Sequence, residues 1–112
     1  MSDVQVLYLQ QDLNEKTIRT LETQVMNLLS KGYSRIILEA EKVGCVEWPA
    51  VGKILGLKRV LRQFEGDIKL AGLPAEVKEP FHRFGANQIL EIYPNLHEAM
   101  LSFSRYSDDN LC

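Results

Sequence analysis

The chain has 112 residues with 13 basic and 15 acidic side chains, and its net charge of −2 argues against nucleic-acid binding through charge alone. A hydrophobic content of 46% suffices for one globular domain whose core needs no disulfides. No apolar run approaches the roughly 20 residues that span a bilayer, and the start lacks the features of a signal peptide. Cys45 and Cys112 form neither a disulfide framework nor a zinc motif, so a cytoplasmic protein without a transmembrane segment is expected.

The first third of the chain predicts a strand and an amphipathic helix. Residues 4–9 show the partial alternation of a strand, and residues 10–14 are a candidate partner strand for it. Asn14 is a suitable N-cap for a helix over residues 15–31, and Gly32 is a suitable stop. Five apolar residues carry the helical spacing: Ile18, Leu21, Val25, Leu28 and Leu29.

The middle third predicts a second strand, a second helix and a third strand. Residues 35–40 contain three consecutive large apolar residues, which is typical of a strand covered by helices. Residues 43–46 connect this strand to a helix with Pro49 in its first turn. Gly66 ends that helix before a strand over residues 67–71. The predicted buried stripe of the helix comprises Val51, Ile54, Leu55, Leu61 and Phe64.

The last third predicts two more helices around a last strand. Pro74 opens a helical segment that closes at Gly85, and Pro80 predicts a short first turn or a kink within it. Residues 88–93 are predicted as a strand, and Asn95 with Glu98 has the spacing of a capping box. The apolar stripes of the two helices are Val77, Phe81 and Phe84 in the first, and Leu96, Ala99, Met100 and Phe103 in the second.

The order of these elements predicts an α/β domain over residues 1–105, followed by a polar C-terminal tail over residues 106–112. Right-handed crossovers make the later strands largely parallel. We therefore expect a mixed sheet of four or five strands and about four helices, with the helices in a single layer on the sheet.

Several short segments carry a family resemblance through their order and spacing. Residues 11–14 form a turn before the first helix, residues 36–39 a buried strand, and residues 46–51 a loop before the second helix. Residues 66–72, 74–77, 84–85 and 98–99 follow in the same order. Over roughly residues 4–103 this arrangement resembles the STAS domain of bacterial anti-sigma factor antagonists. The resemblance implies a STAS-like α/β fold and a regulatory protein–protein contact.

The loop before the second helix departs from the pattern of that family. In members regulated by a partner kinase, the phosphoacceptor is the second hydroxyl residue of the loop, which aligns with Pro49. Proline has no hydroxyl, so the resemblance implies a module that is not phosphorylated at this position. Glu47 replaces the family's aspartate, and Trp48 replaces the first serine. The Glu47 carboxylate either imitates part of a phosphate charge or is favoured there by the helix macrodipole.

Trp48 and a set of basic residues each have two interpretations. Trp48 is either an ordinary partly buried aromatic or the anchor for a partner protein, because tryptophan is enriched at interface hot spots. The basic residues form either a solvated helix face or a contact for an anionic partner. They are Lys53, Lys58, Arg59 and Arg62.

The residues that could support catalysis do not form a recognisable site. His82 and His97 lie on separate predicted helices without a nucleophile at a known spacing. Cys45 is expected to be a small buried residue rather than a nucleophile. Three acids near the predicted strand ends, Glu39, Glu41 and Glu47, do not specify a metal. We therefore expect a protein that is not an enzyme and needs no cofactor.

The sequence predicts a non-enzymatic protein–protein interaction module in bacterial signalling, similar to an anti-sigma factor antagonist. Its expected partner is an anti-sigma factor of the serine-kinase type or another signalling protein, and a homodimer is compatible with this role. Two alternatives stay open: an accessory subunit of a lipid-transport ATP-binding cassette system that binds the ATPase subunit, and a small-ligand or nucleotide sensor. The predicted partner-binding residues are Glu47, Trp48, Pro49, Ala50, Lys53, Glu39 and Glu41.

Overall fold

A sheet of four parallel strands, ordered as in the chain, forms the centre of the described residues, which are 3–83 and 85–111 of a computed structural model. Side chains are described as far as Ser104. The strands are β1 (Val4–Tyr8), β2 (Arg35–Glu39), β3 (Asp67–Ala71) and β4 (Ile92–Tyr93). The helices are α1 (Glu15–Ser30), α2 (Trp48–Arg62), α3 (Glu79–Arg83) and α4 (Leu96–Leu111). The predicted α/β class is confirmed.

The sheet is not mixed, and in this respect the prediction is wrong. Every strand pair within the described ranges is parallel, and residues 10–14 form no strand beside β1 there. Leu13 makes only an isolated parallel bridge with Val46. The segment turns towards the helices because Asn14 caps α1 and Asp12 bonds to the loop before α2.

Helix α1 begins and ends where its capping residues predict. Asn14 Oδ1 accepts the backbone N–H groups of Lys16 and Thr17 at 2.9 and 3.0 Å. In return, the Thr17 hydroxyl accepts the backbone N–H of Asn14 at 2.9 Å, which completes a capping box. Gly32 follows the helix with a φ of +94°, in the left-handed region that favours glycine. The predicted N-cap and stop are both confirmed.

Helix α2 ends before the last residue of its predicted apolar stripe. Its last residue is Arg62, and Phe64 lies in the following turn with 57% of its surface exposed. The prediction that Phe64 is buried is therefore wrong, because the side chain lies beyond the periodic part of the helix. The other predicted residues of the stripe are buried or pack against the core.

The turn between α2 and β3 depends on Gly66 because of a close approach between backbones. Glu65, not Gly66, adopts the left-handed conformation here, with a φ of +62°. A Cβ on Gly66 would lie 1.9 Å from the backbone oxygen of Ser34 and 2.5 Å from its carbonyl carbon. The same Ser34 oxygen accepts the backbone N–H of Asp67 at 2.9 Å, which aligns the start of β3 with β2. No side chain fits at this position.

The third helical segment is broken into two pieces, as Pro80 predicts. A 3-10 turn spans Ala75–Val77, and α3 starts at Glu79. Pro80 is then the second residue of the helix, where its missing N–H leaves no intrahelical bond unmade. Phe81 is fully buried. Phe84, which was predicted in the same stripe, lies outside the described residues.

The last strand is much shorter than the predicted 88–93. A 3-10 turn covers Ala86–Gln88, and β4 contains only Ile92–Tyr93. Leu90 donates its backbone N–H to the Ala86 carbonyl at 2.8 Å and so extends the helical turn instead of the sheet. Leu90 is fully buried and Ile89 is exposed, an alternation that a strand would also produce, so the apolar pair alone does not distinguish a strand from this turn.

Helices cover both faces of the sheet, and the predicted single helical layer is therefore wrong. The main core lies between the sheet and α1, α2 and the residues around α3. On the opposite face, Ile37 and Ala71 of the sheet form a second cluster with Ala99 and Phe103 of α4. Successive residues of a strand point to opposite faces, so three consecutive apolar residues in β2 serve both clusters.

Helix α4 begins at its predicted cap and continues past the predicted end of the domain. Asn95 Oδ1 accepts the backbone N–H of Glu98 at 2.9 Å. The helix runs to Leu111. The predicted division into a domain over residues 1–105 and a polar tail over residues 106–112 stays a prediction. Cys112 lies outside the described residues. None of the helices in the described ranges combines the length and apolar character needed to cross a bilayer.

A buried lysine connects β3 to α4. Lys69 keeps only 5% of its surface exposed, and its ammonium group lies 4.1 Å from the centre of the Phe103 ring. Its Nζ donates to Ser102 Oγ at 2.8 Å and lies 3.2 Å from Glu91 Oε1. The Tyr93 hydroxyl donates to the same Glu91 carboxylate. Among the described residues, the Lys69 ammonium group therefore has a hydroxyl, a carboxylate and an aromatic ring as partners.

This contact predicts a pH dependence for the stability of the fold. Partial burial raises the pKa of Glu91, but the Tyr93 hydrogen bond and the Lys69 charge outweigh it, so the pKa lies below its ordinary value. A lowered folded-state pKa stabilises the fold above the unfolded-state pKa, and that contribution is lost as the pH falls through the folded value. Urea unfolding at decreasing pH is expected to show this loss.

The isosteric variant Glu91→Gln provides the control for the pH dependence. At neutral pH it is expected to be less stable than the wild type, and the difference is expected to shrink as the pH falls through the acidic range. A difference that stays constant with pH would contradict an ionic role for Glu91.

Candidate functional site

The loops that follow β1 and β2 are joined at the carboxyl edge of the sheet. Asp12 Oδ1 accepts the backbone N–H of Gly44 at 2.8 Å, although the two residues are 32 positions apart. Leu13 donates its backbone N–H to the Cys45 carbonyl at 3.0 Å and accepts the Glu47 N–H at 2.8 Å. These bonds fix the loop before α2 against the segment that caps α1. The loop therefore has one defined position relative to both helices.

Trp48 and Pro49 form the first turn of α2 on this base. Proline is suited to the start of a helix, because its φ is already helical and its missing N–H has no partner there anyway. Trp48 keeps 46% of its surface exposed despite its size, and Pro49 is also exposed. The chain thus places a half-exposed indole beside a rigid ring at a helix start.

Glu47 occupies the N-cap position of α2 and is exposed. Its backbone is extended, with a φ of −91° and a ψ of 144°, but its side chain makes no capping hydrogen bond. The carboxylate therefore faces solvent near the positive end of the helix dipole. Both interpretations of this residue, as a partial phosphate mimic and as a dipole-favoured acid, stay predictions.

The other two predicted residues of α2 differ from one another. Lys53 is exposed and lies one turn after Pro49, so it extends the same face of the helix. Ala50 is fully buried in the main core. The side chain of Ala50 therefore holds the helix start against the core and is not part of the exposed surface.

Glu39 and Glu41 lie at the carboxyl end of β2, on the same edge of the sheet as the loop. Glu39 is half-buried, and its Oε1 accepts the backbone N–H of Glu41 at 3.3 Å. Its Oε2 is turned towards β3, 2.9 Å from the point where a Cβ on Gly72 would lie. Glu41 is exposed. No group of His, Cys, Asp and Glu side chains in the described ranges could hold a metal ion.

Cys45 is exposed, and the prediction of a buried side chain is wrong. The backbone makes an isolated parallel bridge with Leu13 at Val46, the residue after Cys45. Val43 and Val46 are buried in the core, while Cys45 between them is exposed. The two histidines, His82 and His97, are also exposed and lie on different helices.

Two of the four basic residues of α2, Lys58 and Arg62, lie within ion-pair distance of Asp67. Lys58 Nζ lies 2.7 Å from Asp67 Oδ1, and Arg62 Nη1 lies 3.5 Å from Asp67 Oδ2. Lys53 and Arg59 are exposed. Asp67 also accepts its neighbour's backbone N–H at 2.8 Å, so this buried carboxylate ties α2 to the start of β3. Lys58 and Arg62 therefore help to hold α2 against β3, a role that their spacing along the helix did not reveal.

Comparison with solved structures identifies several proteins of the same fold. A candidate anti-sigma factor antagonist from Thermotoga maritima is 23% identical, with a TM-score of 0.77 over 87% of this chain and 86% of that chain. A sulfate transporter family protein from Wolinella succinogenes is 12% identical, with a TM-score of 0.76 over 92% and 85%. The murine Solute Carrier 26 family member A9 anion transporter is 17% identical, with a TM-score of 0.74; the match covers 90% of this chain and 18% of the transporter.

The family to which the chain belongs follows from its sequence. A comparison with curated proteins found no match. The family model of the STAS domain, however, matches residues 2–99, which is most of the chain and includes all four strands and the first three helices. The chain therefore belongs to the STAS domain family.

Proposed function

We propose that this STAS domain is a non-enzymatic module that binds a protein partner in bacterial signalling, in the manner of an anti-sigma factor antagonist. The observation that supports this most directly is the half-exposed Trp48 at the start of α2. Around it, Glu47, Pro49 and Lys53 are exposed on the same loop and first helical turns. Glu41 and the half-buried Glu39, at the carboxyl end of β2, are included in the proposed surface.

The proposed mechanism is the burial of an aromatic anchor on a preorganised loop. Tryptophan contributes strongly at interfaces, because its large surface loses water while only two side-chain torsions are fixed. The bonds from Asp12 and Leu13 to the loop hold its backbone before any partner arrives. Less conformational entropy is then lost on binding than for a mobile loop.

Binding is proposed to be independent of phosphorylation of this loop. By the family resemblance, Pro49 stands where kinase-regulated members carry the phosphoacceptor, and proline has no hydroxyl. The proposed partner is an anti-sigma factor of the serine-kinase type. The likeness to the Thermotoga protein supports this class of partner, although at 23% identity it establishes only the fold.

Replacement of Trp48 by alanine tests the proposal. Partners would first be recovered from a lysate of the native host by affinity pull-down and identified by mass spectrometry. Titration calorimetry of the purified partner is then expected to show affinity reduced about thirtyfold by Trp48→Ala, corresponding to about 2 kcal/mol. The free energy of unfolding is expected to change by less than about 1 kcal/mol, because the indole is half-exposed.

Phe64→Ala is the matched control, because Phe64 is an exposed aromatic in the turn that follows the far end of the same helix. This variant is expected to bind the partner with unchanged affinity. Equal affinity for the wild type and Trp48→Ala would contradict the anchor role. Incubation with the partner and ATP is expected to leave the loop unmodified by mass spectrometry.

A second candidate function is that of an accessory subunit in membrane transport. Its support is the similarity of fold to STAS domains from sulfate and anion transport proteins. The same pull-down distinguishes the two functions. Recovery of an ATP-binding cassette ATPase subunit, in place of an anti-sigma factor, would favour the transport role.

A further inference from the structure

The outer edge of β1 carries unpaired backbone groups. Within the described residues, β1 pairs only with β2 and forms one end of the sheet. Leu9 donates its backbone N–H to Glu39, and the polar groups of successive strand residues point to alternate sides. The N–H and C=O groups of Val4, Val6 and Tyr8 therefore point away from β2.

This edge lacks the features with which strands usually prevent further pairing. Edge strands are commonly protected by a charged side chain, a proline or a bulge. Residues 4–8 contain no charged residue, no proline and no glycine, and their register with β2 is regular. An exposed strand edge is paired by another extended strand, which supplies the matching donors and acceptors.

One face of β1, the face under α4, carries both a projecting side chain and a groove. Val4 and Val6 belong to the cluster under α4, and alternation places Tyr8 on the same face. Tyr8 is 59% exposed. A groove of about 450 Å³ lies at the other end of the strand, lined by residues that include Val4, Met100 and Phe103. Met100 is a large apolar side chain that is exposed there.

We propose that β1 pairs antiparallel with β1 of a second copy of this chain, about a two-fold axis at Val6. In that register Val6 faces Val6 of the partner, and Val4 faces Tyr8 of the partner. Each of these pairs uses the outward-facing groups of both residues and exchanges two backbone hydrogen bonds. The partner's Tyr8 then stands beside Val4 on the α4 face, where the groove receives its ring. The edge is complementary to itself, which is what a symmetric dimer requires.

Sedimentation equilibrium of the full chain tests this dimer through two variants. Val6→Pro removes an N–H that points away from β2, so the bonds between β1 and β2 are retained. Tyr8→Ala leaves the groove empty. Each substitution is expected to raise the dimer dissociation constant at least about tenfold. Met26→Ala, which alters an exposed apolar residue of α1, is expected to leave the constant unchanged.

Hydrogen exchange provides a readout at single residues. The amides of Val6 and Tyr8 are expected to gain protection as the protein concentration rises, while that of Leu7, which points to β2, does not change. A chain that stays monomeric at all concentrations would overturn the proposal. An unchanged dimer dissociation constant in Tyr8→Ala would overturn it too. Circular dichroism checks that each variant is folded, and Tyr8→Ala alone decides if Val6→Pro does not fold. Neither outcome affects the partner contact at Trp48.

Discussion

Replacement of Gly66 by alanine is expected to lower the free energy of unfolding by about 3 kcal/mol, the upper range for forcing extra atoms into a packed site. The new methyl group would lie 1.9 Å from the backbone oxygen of Ser34, which is not the end of a flexible side chain. To make room, β3 and the segment before β2 must separate. That movement also weakens the bond from Asp67 to Ser34. Urea unfolding followed by circular dichroism measures the loss.

Gly52→Ala is the matched control for this prediction. Gly52 lies on the exposed side of α2, and nothing stands within 4 Å of the position of an added Cβ. Alanine is expected to raise the free energy of unfolding by about 0.5–1 kcal/mol there, because it restricts the unfolded chain and favours the helix. A small effect of Gly66→Ala, similar in size to that of Gly52→Ala, would show that the close approach to Ser34 relaxes easily.

Truncation of Lys69 to alanine is expected to cost about 3 kcal/mol of unfolding free energy. The substitution removes a long buried side chain between β3 and α4 and leaves a cavity beside Phe103. It also deprives Ser102 and Glu91 of their shared donor. The loss is expected in thermal unfolding as well, with reduced protection of the α4 amides in hydrogen exchange.

Lys69→Met separates the apolar part of this contact from the ionic part. Methionine retains much of the buried volume but has no charge, and such replacements of buried charges cost little where the partner can reach water. Glu91 remains half-exposed, so a loss below about 1.5 kcal/mol is expected for this variant. Equal losses for Lys69→Met and Lys69→Ala would show instead that the charge, rather than packing, connects α4 to the sheet.

The elements that sequence predicts well are those whose signals are local. The helix over Glu15–Ser30 has a regular apolar period, a capping residue at Asn14 and a terminal glycine, which all agree. The strands β2 and β3 are continuous buried runs between such helices. The loop before α2 was located by its place between these elements. An exposed Trp48 in this loop was one of the two interpretations of that residue. The hydrogen bond to Asp12 that holds the loop in place was not predicted.

The errors arise where tertiary contacts decide. Ile89 and Leu90 have strand-like composition, yet a backbone bond to Ala86 draws them into a turn. Phe64 fits the helical period but lies beyond the end of the helix. The position of α4 on the opposite face has a signal in the three consecutive apolar residues of β2, because such runs are typical of strands covered on both faces. Lys69 on β3 suggests the opposite, since a lysine in a strand is usually exposed. Its partners on α4 and just before β4 become visible only in the folded structure.

The order of the strands has a consequence for how the chain reaches its native state. Each strand pairs with the one that precedes it in the chain, so every new pairing closes a loop of roughly 20–30 residues onto a sheet that already exists. Assembly can therefore follow the direction of synthesis, with the β1 end formed first. The second face of the sheet, with Ile37 and Ala71, stays in contact with water until α4, which follows all four strands in the chain, is made. A nascent chain, or one truncated before α4, is thus most prone to aggregate at that stage.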